Sequence, residues 1–177
     1  MLWPSKFCAA GIKRFGVEQL PMPDLLVPLY SLPSREEGAL SVAADGIILR
    51  RPNSFELTRV RTFVEAHFSV SWADELAVTL SRQPVSSFLA LSGKTIVGFA
   101  AYEATRKAFF GPTGVDPAFR GRGIGKALLI ESLWGLHDLG YAYAIIGAAG
   151  PVEFYQKAVG ASIIPNSVPG VYANLLH

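Results

Sequence analysis

Cysteine is almost missing from this chain of 177 residues: Cys8 stands alone. A lone thiol excludes an intramolecular disulfide and a cysteine-rich metal site. Histidine is nearly as scarce. His67, His137 and His177 lie too far apart to show metal-ligand spacing, so no metal is expected. No run of five or more Lys or Arg occurs, and 16 basic against 14 acidic residues leave a net charge of only +2. That balance does not suggest a nucleic-acid partner. No apolar run reaches the roughly 18 residues of a membrane span. The first residues offer only Lys6 before a mixed stretch broken by Gly11 and Lys13, a poor signal peptide, so a cytoplasmic protein is expected. What remains is long enough and apolar enough, at 50% hydrophobic, for one domain with a sizeable core.

Glycine and proline are plentiful, and they concentrate meaning between Gly111 and Gly140. Val115-Asp116-Pro117 reads as a strand leaving its sheet, because Pro117 cannot donate to a ladder. Arg120-Gly121-Arg122-Gly123-Ile124-Gly125-Lys126 follows and opens a long apolar helix. Alternate glycines let backbone N–H groups approach a ligand without Cβ interference. A helix N-terminus with glycines and basic side chains is an anion site, most often for phosphate. Two common phosphate motifs fail here. A P-loop needs glycine where Arg120 stands and a hydroxyl where Ala127 stands. A G-x-G-x-x-G fingerprint meets Lys126 or Leu128 at its third glycine. What fits is R-x-x-G-x-G, from Arg120 to Gly125.

Residues 1–33 are punctuated by Pro4, Pro21, Pro23, Pro28 and Pro33. Helix and central strand are not expected there; the segment reads as an extended arm, with disorder a further possibility for 1–20. The rest, 34–177, reads as one domain. Ser34-x-x-Glu37 is a capping box for a short helix to about residue 44. A strand is expected at 46–51 and a helix at 54–67. A second capping signal, Ser71-x-x-Asp74, introduces another helix that Pro84 closes. Strands follow at 87–91, 95–105 and 108–115. Gly111-Pro112 and Gly114 interrupt the last of these, which predicts a bulge or splay. The long helix covers about 123–139, and a strand 141–146. Pro151 at the first helical position and Gly160 past the end bound a final helix. Two short strands are expected at 162–164 and 171–175. The class is α/β (α+β), with order β-α-α-β-β-β-α-β-α-β-β after the arm and first helix.

That order, and the R-x-x-G-x-G loop after V-D-P, resemble the GNAT superfamily of N-acetyltransferases over roughly residues 46–177. Glu153-Phe154-Tyr155-Gln156-Lys157 with Val159-Gly160-Ala161 is similar to the family's F-Y-x-K-x-G-F segment. The resemblance implies a mixed, mostly antiparallel sheet flanked by helices. It implies acetyl-CoA as donor and a primary amine, on a small molecule or a protein, as acceptor, with direct transfer in a ternary complex. The pyrophosphate would lie on the N–H groups of Gly121, Arg122, Gly123, Ile124, Gly125 and Lys126, with charge from Arg120, Arg122 and Lys126. The Val115 N–H would meet the developing oxyanion, and Tyr155 would be the general acid. A monomer or homodimer is expected.

Two departures from the family pattern stand out. A glutamate is common on the fourth strand as base; here that strand offers Phe109 and Phe110. Glu103, His67 or a water chain are the options left. An asparagine is common seven residues before the tyrosine, and Ala148 stands there. The acceptor side is expected to be partly apolar, shaped by Phe68, Trp72, Tyr102, Phe109 and Phe110. A CoA-binding sensory module without catalysis, and an acetyltransferase for a macromolecule, are the competing readings.

Overall fold

The computed structural model describes residues 22–173. The expectation of disorder over 1–20 lies outside them. In chain order the elements are β1 (Leu25–Pro28), α1 (Arg35–Ala43), β2 (Ile47–Arg50), α2 (Leu57–His67) and α3 (Val70–Leu80). Then come β3 (Ser87–Ser92), β4 (Thr95–Tyr102), β5 (Phe109–Val115), α4 (Ile124–Asp138), β6 (Tyr143–Ile146), α5 (Val152–Val159) and β7 (Ser162–Ile163). The strands form one sheet in the order β2-β3-β4-β5-β6-β1-β7. Every pair is antiparallel except β5 with β6, which run parallel.

Helices cover both faces. One core cluster joins α1, α4 and α5 to the sheet; the other joins α2 and α3 through Val60, Val64, Ala73, Leu76 and Phe99. The apolar circumference of α4 explains its place. Ile124, Leu128, Leu129, Leu133 and Leu136 are all buried. At Gly135 a Cβ would stand 2.6 Å from the Tyr102 ring, so glycine there lets β4 and α4 approach closely. Tyr102 is thereby a core residue stacked near Phe88, not the acceptor-side wall the sequence reading expected.

Four further expectations are corrected. Leu25–Pro28 is not a peripheral arm but an inner strand, paired with β6 on one side and β7 on the other. It tolerates its proline because Pro28 is the last residue, opposite Tyr143, where the ladder ends. The cap of α3 is Ser69, whose hydroxyl accepts the Trp72 N–H at 3.2 Å; Ser71 lies inside the helix. The expected strand over 171–175 is instead a single 3-10 turn at Gly170–Tyr172, with 174–177 outside the described residues. Pro151 caps α5 rather than opening it, and Gly160 closes it in the left-handed region at φ 65°.

The entry to α2 carries the clearest electrostatic signature. The Arg50 guanidinium donates to both oxygens of Glu56, at 2.7 and 2.6 Å, and the Asn53 N–H donates to the same carboxylate at 2.7 Å. These bonds, those from Arg50 first, outweigh burial and hold the Glu56 carboxyl down at about 2. A carboxyl depressed by folding stabilises the fold above its unfolded value, and that stabilisation is lost as pH falls through the folded value. Thermal unfolding between pH 4.5 and 2 should therefore show a loss of stability in the wild type that is smaller in Glu56→Gln.

Candidate active site

The site begins where two parallel strands stop pairing. β5 meets β6 only at Phe109–Ile145 and Phe110–Ile146. Between Ala100 and Tyr102 the β4–β5 register shifts, leaving Gly111 and Pro112 as the bulged segment of β5. Gly111 takes φ 121°, a backbone conformation that favours glycine. Beyond it β5 still follows β4 but leaves β6. A cleft of about 540 Å³ opens between Thr113–Val115 on one side and the Gly147–Gly150 loop with α5 on the other.

The register decides which backbone groups face that cleft. The Asp116 N–H donates to the Val97 carbonyl at 2.9 Å, so residue 116 points toward β4. Alternation then turns the N–H groups of Val115 and Thr113 the other way, toward the cleft. Gly114 faces the α2–α3 layer, where a Cβ would collide with the Phe68 ring.

The glycine-rich loop lies at the Val115 end. Gly121 and Gly123 have φ of 79° and 77°, so both need glycine. Gly123 is the N-cap of α4 and has no side chain to satisfy the helix's first N–H groups. Those donors remain for an anion, and the residues present fit a pyrophosphate. Gly125 lines the cleft. The side chains of the loop take separate places. Ile124 is buried, so only its backbone is available. The Arg120 Nε donates to the Val115 carbonyl at 3.2 Å, tying the loop to β5. The Arg122 guanidinium sits over the Phe119 ring at 5.1 Å. Lys126 borders a small groove against α1, beside Ser34 and Glu37.

Tyr155 projects from α5 into the opposite wall of the cleft, with its ring edge-on to Phe110 and Phe154. Burial pushes its phenol up to about 12. The cleft thus brings together Val115, Gly125 and Tyr155. It does not include Glu103 or His67. Glu103 is buried elsewhere, bonded by Arg82 at 2.8 Å, Lys107 at 3.1 Å and the Tyr141 hydroxyl at 2.5 Å. Burial pushes its carboxyl upward, but the bonds from Tyr141 and Lys107 outweigh that and hold it below the ordinary carboxylate range. It is a structural anchor of the β4–β5 turn, with every approach to its charge already occupied. The His67 Nδ1–H donates to the Phe63 carbonyl at 2.9 Å, and its other ring nitrogen lies 3.7 Å from Asp116.

Four cleft-side residues escaped the sequence reading. Asp24 accepts the Ala148 N–H at 2.8 Å, and the Pro23 carbonyl accepts the Ala149 N–H at 2.9 Å. The segment that leads into β1 therefore holds the Gly147–Gly150 loop that lacks the family's asparagine. Tyr172 reaches the cleft from the C-terminal segment; a Cβ on Gly147 would run into its hydroxyl. Burial, then the nearby Glu75 and Asp24 charges, push the Tyr172 phenol up to about 12. Glu75 lines the cleft from α3 and accepts a hydrogen bond from Thr105. One signal for Glu75 was available: it lies three residues after Trp72, on the same helical face.

The acetyltransferase (GNAT) family model matches residues 53–160, more than half of the chain. The chain belongs to this family. Among solved structures it is similar to a glucosamine N-acetyltransferase region of a fungal multi-domain β-N-acetylglucosaminidase. The TM-score is 0.65 at 14% identity, over 80% of this chain and 19% of that one. It is also similar to a GCN5-related N-acetyltransferase from Sphaerobacter thermophilus, at TM-score 0.60 and 23% identity, over 82% of this chain and 50% of that one. The chain thus spans about a fifth and a half of the lengths of these two proteins. At these identities the likeness shows the fold: a mixed sheet, mostly antiparallel, flanked by helices. A search of curated protein sequences gives no match. Among the described residues no helix is long and apolar enough to cross a membrane, and no three His, Cys, Asp or Glu side chains gather as a metal site.

Ultraviolet titration checks the burial of the two cleft phenols. Tyr155→Phe and Tyr172→Phe should each remove one ionisation near pH 12.

Proposed function

We propose that the chain is an acetyl-CoA-dependent N-acetyltransferase acting on a primary amine, on a small molecule or a protein, by direct attack in a ternary complex. The observation that carries this reading is the parting of β5 from β6. It leaves the N–H groups of Thr113 and Val115 facing a cleft that has an anion-binding helix start at one end and Tyr155 in its wall. In this reading the N–H groups of residues 121–126 bind the pyrophosphate, and the glycines allow the close approach. Arg120 adds charge there and holds the loop against β5. The backbone groups that β6 leaves unpaired bind the amides of the pantetheine arm.

The Val115 N–H stabilises the oxyanion that forms when the amine adds to the thioester carbonyl. A single such donor is worth roughly 10²–10³ in turnover. Addition forms the C–N bond; collapse of the adduct re-forms the carbonyl and breaks C–S. Tyr155 stays protonated throughout the neutral range because its phenol titrates at about 12. Full proton transfer from so weak an acid to a thiolate is uphill. Its contribution is a hydrogen bond that strengthens as charge gathers on sulfur, with the proton arriving as the amide nitrogen sheds its own. Overall, an ammonium and a thioester become an amide, a thiol and a proton released to water.

Calorimetric titration with acetyl-CoA, with NAD and ATP as controls, tests the donor site. Arg120→Ala should weaken binding by roughly tenfold to a hundredfold, the worth of one charge-assisted bond. Gly123→Asp should abolish it, by strain at a left-handed φ and by like charge. Tyr155→Phe should keep acetyl-CoA affinity and lose roughly 10²-fold or more in kcat. Tight binding with no turnover of any amine by the wild type would identify a CoA-binding module instead.

A further inference from the structure

The lining of the cleft is almost devoid of charge. Among the described residues that form it, Glu75 is the one Asp, Glu, Lys, Arg or His. The remaining walls are backbone, glycine, proline and apolar or aromatic groups such as Trp72, Phe110 and Phe154, together with two phenols held protonated. No described Lys or Arg nitrogen lies within ion-pair distance of Glu75. Its partner is the Thr105 hydroxyl, which donates to Oε1. Tyr172 stands beside the same threonine. Glu75 is therefore oriented and, among the described residues, has no ion-pair partner; the positive charge that acts on the neighbouring Tyr172 is Arg106.

Its position along the cleft is set by β5. Thr105 precedes that strand, whereas the glycine loop follows its other end. A carboxylate bonded to Thr105 sits at the end away from the pyrophosphate site, where the acceptor must enter. The apolar walls make an uncompensated carboxylate costly, and a cationic ligand removes that cost.

We propose that Glu75 is the acceptor-site carboxylate. It pairs with the ammonium of an alkylamine, so the acceptors are amines that are cationic in solution, and it takes the proton the nitrogen must lose before attack. An N–H bond breaks and an O–H bond forms on Glu75. The freed nitrogen pair adds to the thioester carbon, C–S breaks, and the Glu75 proton passes to water when the amide leaves. The inference rests on the acetyltransferase reading above.

The test compares wild type, Glu75→Gln and Glu75→Asp with acetyl-CoA and two panels of acceptors: primary alkylamines, and arylamines that are uncharged at neutral pH. Wild type is expected to prefer an alkylamine. Glu75→Gln keeps the Thr105 contact and should bind acetyl-CoA with unchanged affinity. It should lose at least a hundredfold in kcat/KM for that alkylamine and much less for arylamines. Glu75→Asp should recover part of the loss. Equal losses on both panels would reveal a merely structural role and overturn the proposal. So would no loss, or a wild type that turns over only uncharged acceptors. A wild type that binds acetyl-CoA but acetylates nothing in either panel would instead remove the transferase reading, and this inference with it.

Discussion

The site depends on one interruption of hydrogen bonding. β5 and β6 are parallel neighbours for two residue pairs and then separate. A sheet that stayed paired there would satisfy the β5 N–H and C=O groups internally, and no ligand could add to them. The Gly111-Pro112 bulge supplies the separation. It removes one donor outright, and it shifts the register so that Val115 and Thr113 turn outward. The same departure carries the chain over Pro117 into the glycine loop and the start of α4. Strand, loop and helix start therefore follow one another in sequence along one side of the cleft.

The local signals were legible because they are chemical and short in range. Gly111-Pro112 marked the bulge, the alternating glycines marked the helix start, and Gly160 marked the end of α5. What was not legible lies in pairings across the chain. Leu25–Pro28 is an inner strand because Ile146 and Ile163 stand ready to flank it. Nothing near residue 25 announces partners so distant in sequence, and its prolines argue against a strand. Tyr102 reads as an aromatic on an alternating strand, and only the close packing of Gly135 reveals that it points into the core. Glu103 attracted notice as an acid next to the splayed strand, yet Arg82 and Tyr141 converge on it from two other segments and Lys107 from its own turn.

The division of labour in the cleft follows from charge. Positive side chains and free N–H groups gather at the glycine loop, the negative charge lies on Glu75 at the other end, and between them the lining is neutral. In the proposed reading, such a gradient orients a donor with an anionic head and an acceptor with a cationic one so that their reactive ends meet between Val115 and Tyr155. The loop from Gly147 to Gly150 has no polar side chain of its own. Asp24, the residue before β1, holds it, so the segment that leads into β1 is part of the site's support.

Amide hydrogen exchange with and without acetyl-CoA tests the central claim most directly, because that claim concerns backbone groups. The expected result is slowed exchange confined to residues 113–115 and 121–126, with β3 and β4 unchanged. Protection spread elsewhere, or none in these two segments at saturating acetyl-CoA, would contradict the assignment of the parted strand and the glycine loop as the donor site.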